Sequence, residues 1–320
     1  MNVDQLFPEV KLQENERDIL ATLGEYGLQK LAYYGDAGRN PGYIFRGELD
    51  YPTPLQCGLE RHLLKLPTNT ISCDELRSEE RSVLTCFLRS HAGKTAGIFY
   101  PFEQGRHSDL RTEVFWWLSL MRHYTSYFNH HTRLVDFSRD ILMALYFGTE
   151  QNECHPDMDV LIYCFPCRDP KHPSDNENNK SPIVLNPSGT DLNLALGCLM
   201  ELDWMKCHRD TFHQFKRKEC QTWGWDRPYY TNPRLCSQQG MFVYPYDYPN
   251  QLQKNGPSWL VTNLSSNDAD PFNLGASKTE LPPKRLRIPT NMVKQLRRHL
   301  EDKYGISAKT VYPDRQFLGD

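Results

Sequence analysis

The 320-residue chain has no apolar run approaching the roughly 20 residues that cross a bilayer. Its first residues, MNVDQLFPEVKLQENERD, lack a basic head followed by an apolar stretch. No membrane partner is expected, and the cytoplasm is the expected location. The glycine-rich phosphate loops GxGxxG and GxxxxGK[ST] are missing, and so are GxSxG and HExxH. The common kinase, hydrolase and zinc-protease readings lose their support with them. An excess of positive charge is missing too. A net charge of −3 removes any bulk-charge case for a nucleic-acid coat protein, while leaving room for a local basic groove. Tight cysteine pairs are scarce. Of ten cysteines only Cys164 and Cys167 form a CxxC, and Cys207, His208, His213 and Cys220 make a looser group. Structural zinc wants two tight pairs, so the cysteines read as thiols and no metal is expected.

What is present is globular. Hydrophobic residues at 39% and charged residues at 24% suit a packed core rather than a disordered chain. The length allows one large domain or two small ones. Aromatic residues at 12% serve cores, and they also line pockets for flat rings.

No internal repeat is found. Residues 1–40 read as a lead-in with a helix over 14–30, followed by a domain over 41–320. Asn40-Pro41-Gly42 is a turn signal, and Tyr43-Ile44-Phe45 is an apolar strand ending in Arg46-Gly47. Apolar spacing predicts helices over 77–92 and 111–127. A strand over 132–136 leads to Ser138 as N-cap of an apolar helix. Strands are expected over 160–165, 241–244 and 310–312. A helix capped by Thr290 is expected to stop at Gly305. Stretches near 168–190 and 247–284, rich in Pro, Asn and Ser, read as surface insertions. Irregular alternation of strands and helices favours an α+β fold, a mixed sheet core with flanking helices.

Three places could carry chemistry. Arg46 ends an apolar strand, where a guanidinium must be paired, either with an anionic ligand or with an internal carboxylate. Gly47 beside it would let a ligand approach the backbone. Thr132, Arg133, Asp136 and Ser138 lie where a strand enters a helix, a corner suited to phosphate or ribose; the alternative there is a cap plus an ion pair. Ser237-Gln238-Gln239-Gly240 offers amide donors and acceptors, or is a loop without function. His123, His130 and His131 could include a general base, or be ordinary core and surface histidines.

These segments together resemble the FRG domain family. Tyr43-Ile44-Phe45-Arg46-Gly47 resembles the motif that names it, and Leu55 and Arg61 fit the leucine and arginine that follow. Arg122-His123-Tyr124-Thr125 stands where the family has Gln-His-x-Gly. His131-Thr132-Arg133-Leu134-Val135-Asp136-Phe137-Ser138 and Ala144-Leu145-Tyr146-Phe147-Gly148 are similar to its next two motifs, with Phe137 in place of Trp. Arg234, Gln238-Gln239-Gly240-Met241-Phe242, Gly305-Ile306 and Tyr312-Pro313-Asp314 resemble its later part. The likeness spans about 41–315.

A second resemblance is to arginine-type ADP-ribosyltransferases, which show an aromatic-Arg-Gly strand, a serine-containing strand end and a Glu or Gln motif in that order. It implies an ADP-ribosyltransferase-like sheet and NAD as substrate. Phe45, Arg46, Gly47, Thr132, Arg133 and Ser138 would hold the dinucleotide, with Gln239 near the ribose or the acceptor. The expected Glu-x-Glu is missing: no glutamate occurs between Cys220 and Lys278. The base would then be His123, Asp136 or Glu48. The resemblance further implies a toxin-like effector in bacterial antiviral defence, with a protein or RNA/DNA acceptor and an antitoxin or chaperone partner. For acceptor contact, the basic segment 284–298 and the aromatic segment 223–230 are candidates. The other readings are a nucleotide- or nucleic-acid-binding module without turnover, and a metal-dependent nuclease, which the paucity of Asp/Glu clusters disfavours.

Overall fold

A computed structural model describes residues 4, 9–11, 42–90, 118, 120–123, 131–167, 220–224, 234, 237–245, 251–261 and 283–313. In chain order the elements are β1 (Glu9–Lys11), β2 (Gly42–Leu49), α1 (Gly58–Leu63), β3 (Thr70–Ser72), α2 (Cys73–Arg89), β4 (Val135–Ser138) and α3 (Ile141–Asn152). They continue with β5 (Val160–Cys167), β6 (Cys220–Gly224), β7 (Gly240–Pro245), β8 (Gln251–Gln253), β9 (Lys284–Ile288), α4 (Thr290–Tyr304) and α5 (Ala308–Val311).

The main sheet runs β1-β9-β5-β2-β4-β7-β6. β1 pairs parallel to β9, and the other neighbours pair antiparallel. β3 and β8 form a small second sheet. The fold is α+β, a mixed sheet with flanking helices.

Strand alternation places the core on both faces. Ile44 of β2 and Leu161, Tyr163 and Phe165 of β5 face α1, Leu76 of α2 and the segment around Trp259. Tyr43 and Phe45, with Val160, Ile162 and Cys164, face the apolar sides of α3 and α4. Cys57 and Cys164 are free buried thiols, and burial pushes the Cys164 thiol up to about 12.

Several expected boundaries move. β2 extends through Leu49, so Arg46-Gly47 lies within the strand rather than at its end. β4 begins at Val135, three residues later than expected, because Thr132 accepts the Leu59 N–H at its carbonyl and docks α1 instead of extending the ladder (3.1 Å). Asp140, not Ser138, caps α3, its Oδ1 accepting from Leu142 N at 2.9 Å. Pro289 rather than Thr290 holds the N-cap position of α4, while Gly305 ends that helix as expected, with φ +66°. The strand expected over 310–312 is helical instead: Ser307 and Thr310 form a capping box that starts α5. Part of the expected insertion near 247–284 is built in, since β8 pairs with β3 and Trp259 is fully buried. The lead-in helix over 14–30, the stretch 168–190 and most of the helix over 111–127 lie outside the described residues.

Candidate functional site

The site opens where two strands part. β2 and β4 share a single paired position, Phe45 with Ser138. Beyond it the backbones diverge, and the Arg46 side chain crosses the gap to donate from Nη1 to the Asp136 carbonyl (2.8 Å). A cavity of about 730 Å³ lies here, within the size range of small-molecule and cofactor pockets. Its walls come from Phe45 to Glu48 on β2, Asp136 to Ser138 on β4, Phe147, Glu150 and Gln151 on α3, and Tyr312 beyond α5. Tyr51 to Thr53, Gln56, Arg61, Arg122, His123, Arg234 and Gln238 complete the wall.

Gly47 is required by packing. A Cβ there would lie 1.8 Å from the Ala144 carbonyl oxygen, so the missing side chain lets α3 rest on β2. That close approach carries Phe147 and Glu150 to the cavity.

Arg46 and Glu48, two residues apart on a strand, share a face. Arg46 Nε donates to Glu48 Oε2 at 3.0 Å, and both side chains are buried. The other oxygen of Glu48 accepts from Leu55 N at 2.7 Å, holding Leu55 at φ +60°. Glu48 is thereby committed to structure.

Asp136 is held by Arg122, whose Nε donates to Oδ2 at 2.8 Å and whose Nη2 reaches the same oxygen. Burial would push this carboxyl up, but the Arg122 charge and hydrogen bonds, with His123 and Arg46, outweigh it and hold it well below the usual range. The carboxylate as a whole is 31% exposed, yet Oδ1 is covered and accepts no hydrogen bond among the described residues; His123 Nε2 stands 3.9 Å away.

Arg61 lines the cavity, and its guanidinium has no hydrogen bond or ion pair among the described residues. Its pKa is lowered, first by burial and then by the charges of Arg122 and Arg46. Arg46 and Arg122 are neutralised by Glu48 and Asp136, so the Arg61 guanidinium is the charge left to attract an anion. Arg234 adds a fourth guanidinium, donating to the His123 carbonyl and stacking 5.3 Å over the Tyr312 ring.

The α3 wall supplies a second carboxylate. Glu150 Oε1 accepts from Tyr146 OH at 3.3 Å and Oε2 from Tyr312 OH at 2.5 Å. Two phenols thus fix its orientation, and no ion pair with a cation engages it among the described residues. Ser138 Oγ donates to the Gln238 carbonyl at 2.7 Å, and Gln238 Nε2 donates to the Val311 carbonyl at 3.2 Å. These bonds fasten the wall to the C-terminal segment.

Of the residues singled out in the sequence, the fold brings Phe45, Arg46, Gly47, His123, Asp136 and Ser138 together. Thr132, Arg133 and Gln239 are not part of the lining. Arg133 instead grips Glu80 of α2, its Nε lying 2.8 and 2.9 Å from the two carboxylate oxygens. Gln239 turns the chain at φ +46° and accepts from Arg139 N at its carbonyl; its neighbour Gln238 lines the cavity. Glu150 and the roles of Arg61, Arg122, Arg234 and Tyr312 escaped the sequence reading. The arginines and Tyr312 stood inside the quoted motifs, whereas Glu150 carried only its spacing of four from Tyr146 as a signal. In the basic segment over 284–298, Arg285 and Arg287 are consumed by Asp4, Glu9, Asp50 and Asp159, and Arg297 by Glu153. Of the aromatic segment, residues 225–230 lie outside the described residues.

Residues 41–157 match the family model described as FRG domain. No curated protein and no solved structure matches the chain.

Proposed function

From the premise that the chain carries an FRG domain over residues 41–157, which supplies every wall of the cavity except Arg234, Gln238 and Tyr312, we propose an NAD-dependent ADP-ribosyltransferase. The observation that carries the reading is the convergence of Arg46, Arg61, Arg122 and Arg234 on one cavity that also holds, besides the committed Glu48, the differently prepared carboxylates of Asp136 and Glu150. Arg61, with Arg122 near it and Arg234 on the same cavity wall, takes the diphosphate. Phe147, Tyr51 and Tyr312 offer ring faces to the bases. The partly exposed Asp136 carboxylate accepts from a ribose hydroxyl.

In the reaction, the nicotinamide–ribose C–N bond breaks and its electron pair leaves with neutral nicotinamide. Positive charge develops on the ribose. The carboxylate of Glu150 faces that charge, fixed beforehand by two phenols, so little reorganisation is needed. An acceptor nucleophile then forms the new bond to the ribose carbon, and its proton passes to Glu150. Glu150 thus takes the role that the missing Glu-x-Glu would have filled. A protein or RNA/DNA acceptor, an antitoxin or chaperone partner and a toxin-like role in antiviral defence are supported by the sequence resemblance alone.

The test is to incubate full-length protein with labelled NAD plus pooled cell protein and RNA. Wild type is expected to release nicotinamide and transfer label. Glu150→Gln is expected to bind NAD as well as wild type and to transfer at least about a hundredfold more slowly. No nicotinamide release with any acceptor would sink the reading. The absence of glutamate between Cys220 and Lys278 favours a second reading, a nucleotide-binding module. Calorimetric NAD binding without any product would establish it.

A further inference from the structure

A cluster separate from the cavity lining joins three chain segments that are far apart in sequence. His62 lies on α1, Glu79 on α2, and His131 just ahead of the residues that lead into β4. One donor atom from each lies within 4.8 Å of the other two. His62 Nε2 stands 3.3 Å from Glu79 Oε1, and the imidazoles of His62 and His131 stack with centroids 3.7 Å apart and planes 25° apart. All three side chains are half-buried, so an ion from solvent can reach them.

We propose that His62, Glu79 and His131 form a binding site for a divalent transition-metal ion of the zinc class, with a fourth position open to water. Two borderline imidazole nitrogens with one hard carboxylate oxygen suit zinc, cobalt or nickel and not the all-oxygen shells of magnesium or calcium. Zinc–ligand bonds of about 2.0–2.1 Å place tetrahedral donors roughly 3.3 Å apart. The His62–Glu79 pair already has that spacing. The third donor closes by rotation of a partly exposed imidazole.

An ordinary His62–Glu79 ion pair would leave His131 unexplained. That ring makes no hydrogen bond among the described residues and only stacks on His62.

An ion here would pin α1 to α2 and to the segment whose Thr132 carbonyl already accepts from Leu59. Arg61, the residue before His62, faces the cavity, so the ion would steady that guanidinium. The site does not depend on what the cavity binds.

The test uses metal-free full-length protein titrated with Co²⁺. Wild type is expected to take up an equivalent whose visible d–d bands appear without thiolate-to-cobalt charge transfer. Zinc is expected to raise the melting temperature. Losing a residue that merely orients a ligand weakens metal sites by about 10- to 100-fold, so removing a ligand itself in His131→Ala or His62→Ala should cost at least about tenfold in affinity. Far-UV circular dichroism confirms that each variant folds; should one fail, the other carries the comparison. A thiolate-type spectrum unchanged in His131→Ala would assign the ion to cysteines and overturn the proposal. Absence of uptake, or wild-type affinity in both variants, would overturn it equally.

Discussion

Arg46 and Arg61 face the same cavity and differ in what they lean on. Arg46 is bound to Glu48 and to the Asp136 carbonyl, whereas the Arg61 guanidinium has no hydrogen-bonded partner among the described residues. Removing Arg46 strands a buried carboxylate, and breaking a buried pair costs about 3–5 kcal/mol. Arg46→Ala should therefore lower the urea midpoint strongly. Arg61→Ala relieves repulsion from Arg122 and Arg46, and its stability should change by less than about 1 kcal/mol. Its NAD affinity should fall by roughly 10- to 150-fold, the worth of a charge-assisted hydrogen bond of about 1.5–3 kcal/mol. Denaturant melts and calorimetry on the two variants separate the roles. Equal destabilisation with unchanged binding in Arg61→Ala would contradict the assignment. The Arg46–Glu48 pair was legible in principle, since two residues in a strand put both side chains on one face. The bond from Arg122 to Asp136 was not, because nothing in the spacing aims one at the other.

At the scale of elements, the seating of α3 on β2 and β5 depends on two glycines: a Cβ at Gly148 would lie 2.4 Å from the Val160 side chain of β5. Gly148 faces the Gly47 Cα, and a Cβ at Gly47 would collide with Ala144 backbone that cannot yield. Gly47→Ala is expected to cost upwards of about 3 kcal/mol, the upper range for overpacking, and to displace Phe147 and Glu150 from the cavity wall. Gly305→Ala meets open space and suffers only from its φ of +66°, a cost of about 1 kcal/mol. Thermal denaturation of the two variants should rank them in that order; the reverse order would refute the packing account. The position of Gly305 past a run of helical spacing was legible in sequence, as was the apolar core of β2. Capping was less so. Ser138 and Asp140 are both good caps, and the ladder with β7 decided between them by pairing Ser138 with Gly240.

At the scale of the whole molecule, Glu60 reports on how distant parts are held. Its carboxyl is fully buried and accepts from Cys57 N at 2.9 Å and from Trp259 N at 2.8 Å, tying α1 to a segment about two hundred residues away. Burial pushes its pKa up to about 7 against the hydrogen bonds from Trp259 and Cys57. Between its ordinary value of 4.5 and about 7, the folded state keeps a proton that the unfolded chain has lost. Stability should therefore fall as pH rises through that window, with a slope of up to about 1.4 kcal/mol per pH unit. In Glu60→Gln the overall stability should drop, and the Glu60 share of the slope should vanish. Urea unfolding from about pH 5 to about pH 7 measures both; an undiminished slope in the variant would remove Glu60 as its source.

The amino-acid order alone determined the α+β class, the apolar strand around Phe45, the helix that stops at Gly305 and the segments that meet at the cavity, because each follows from local periodicity, turn chemistry or motif. Only tertiary structure decided which side chains face one another there. Burial and strand pairing turned Arg133 toward Glu80, committed Glu48 to Arg46 and Leu55, and brought Glu150 and Tyr312 to the cavity wall. Pairing between distant charges depends on three-dimensional distance and desolvation, and neither is written in spacing along a chain.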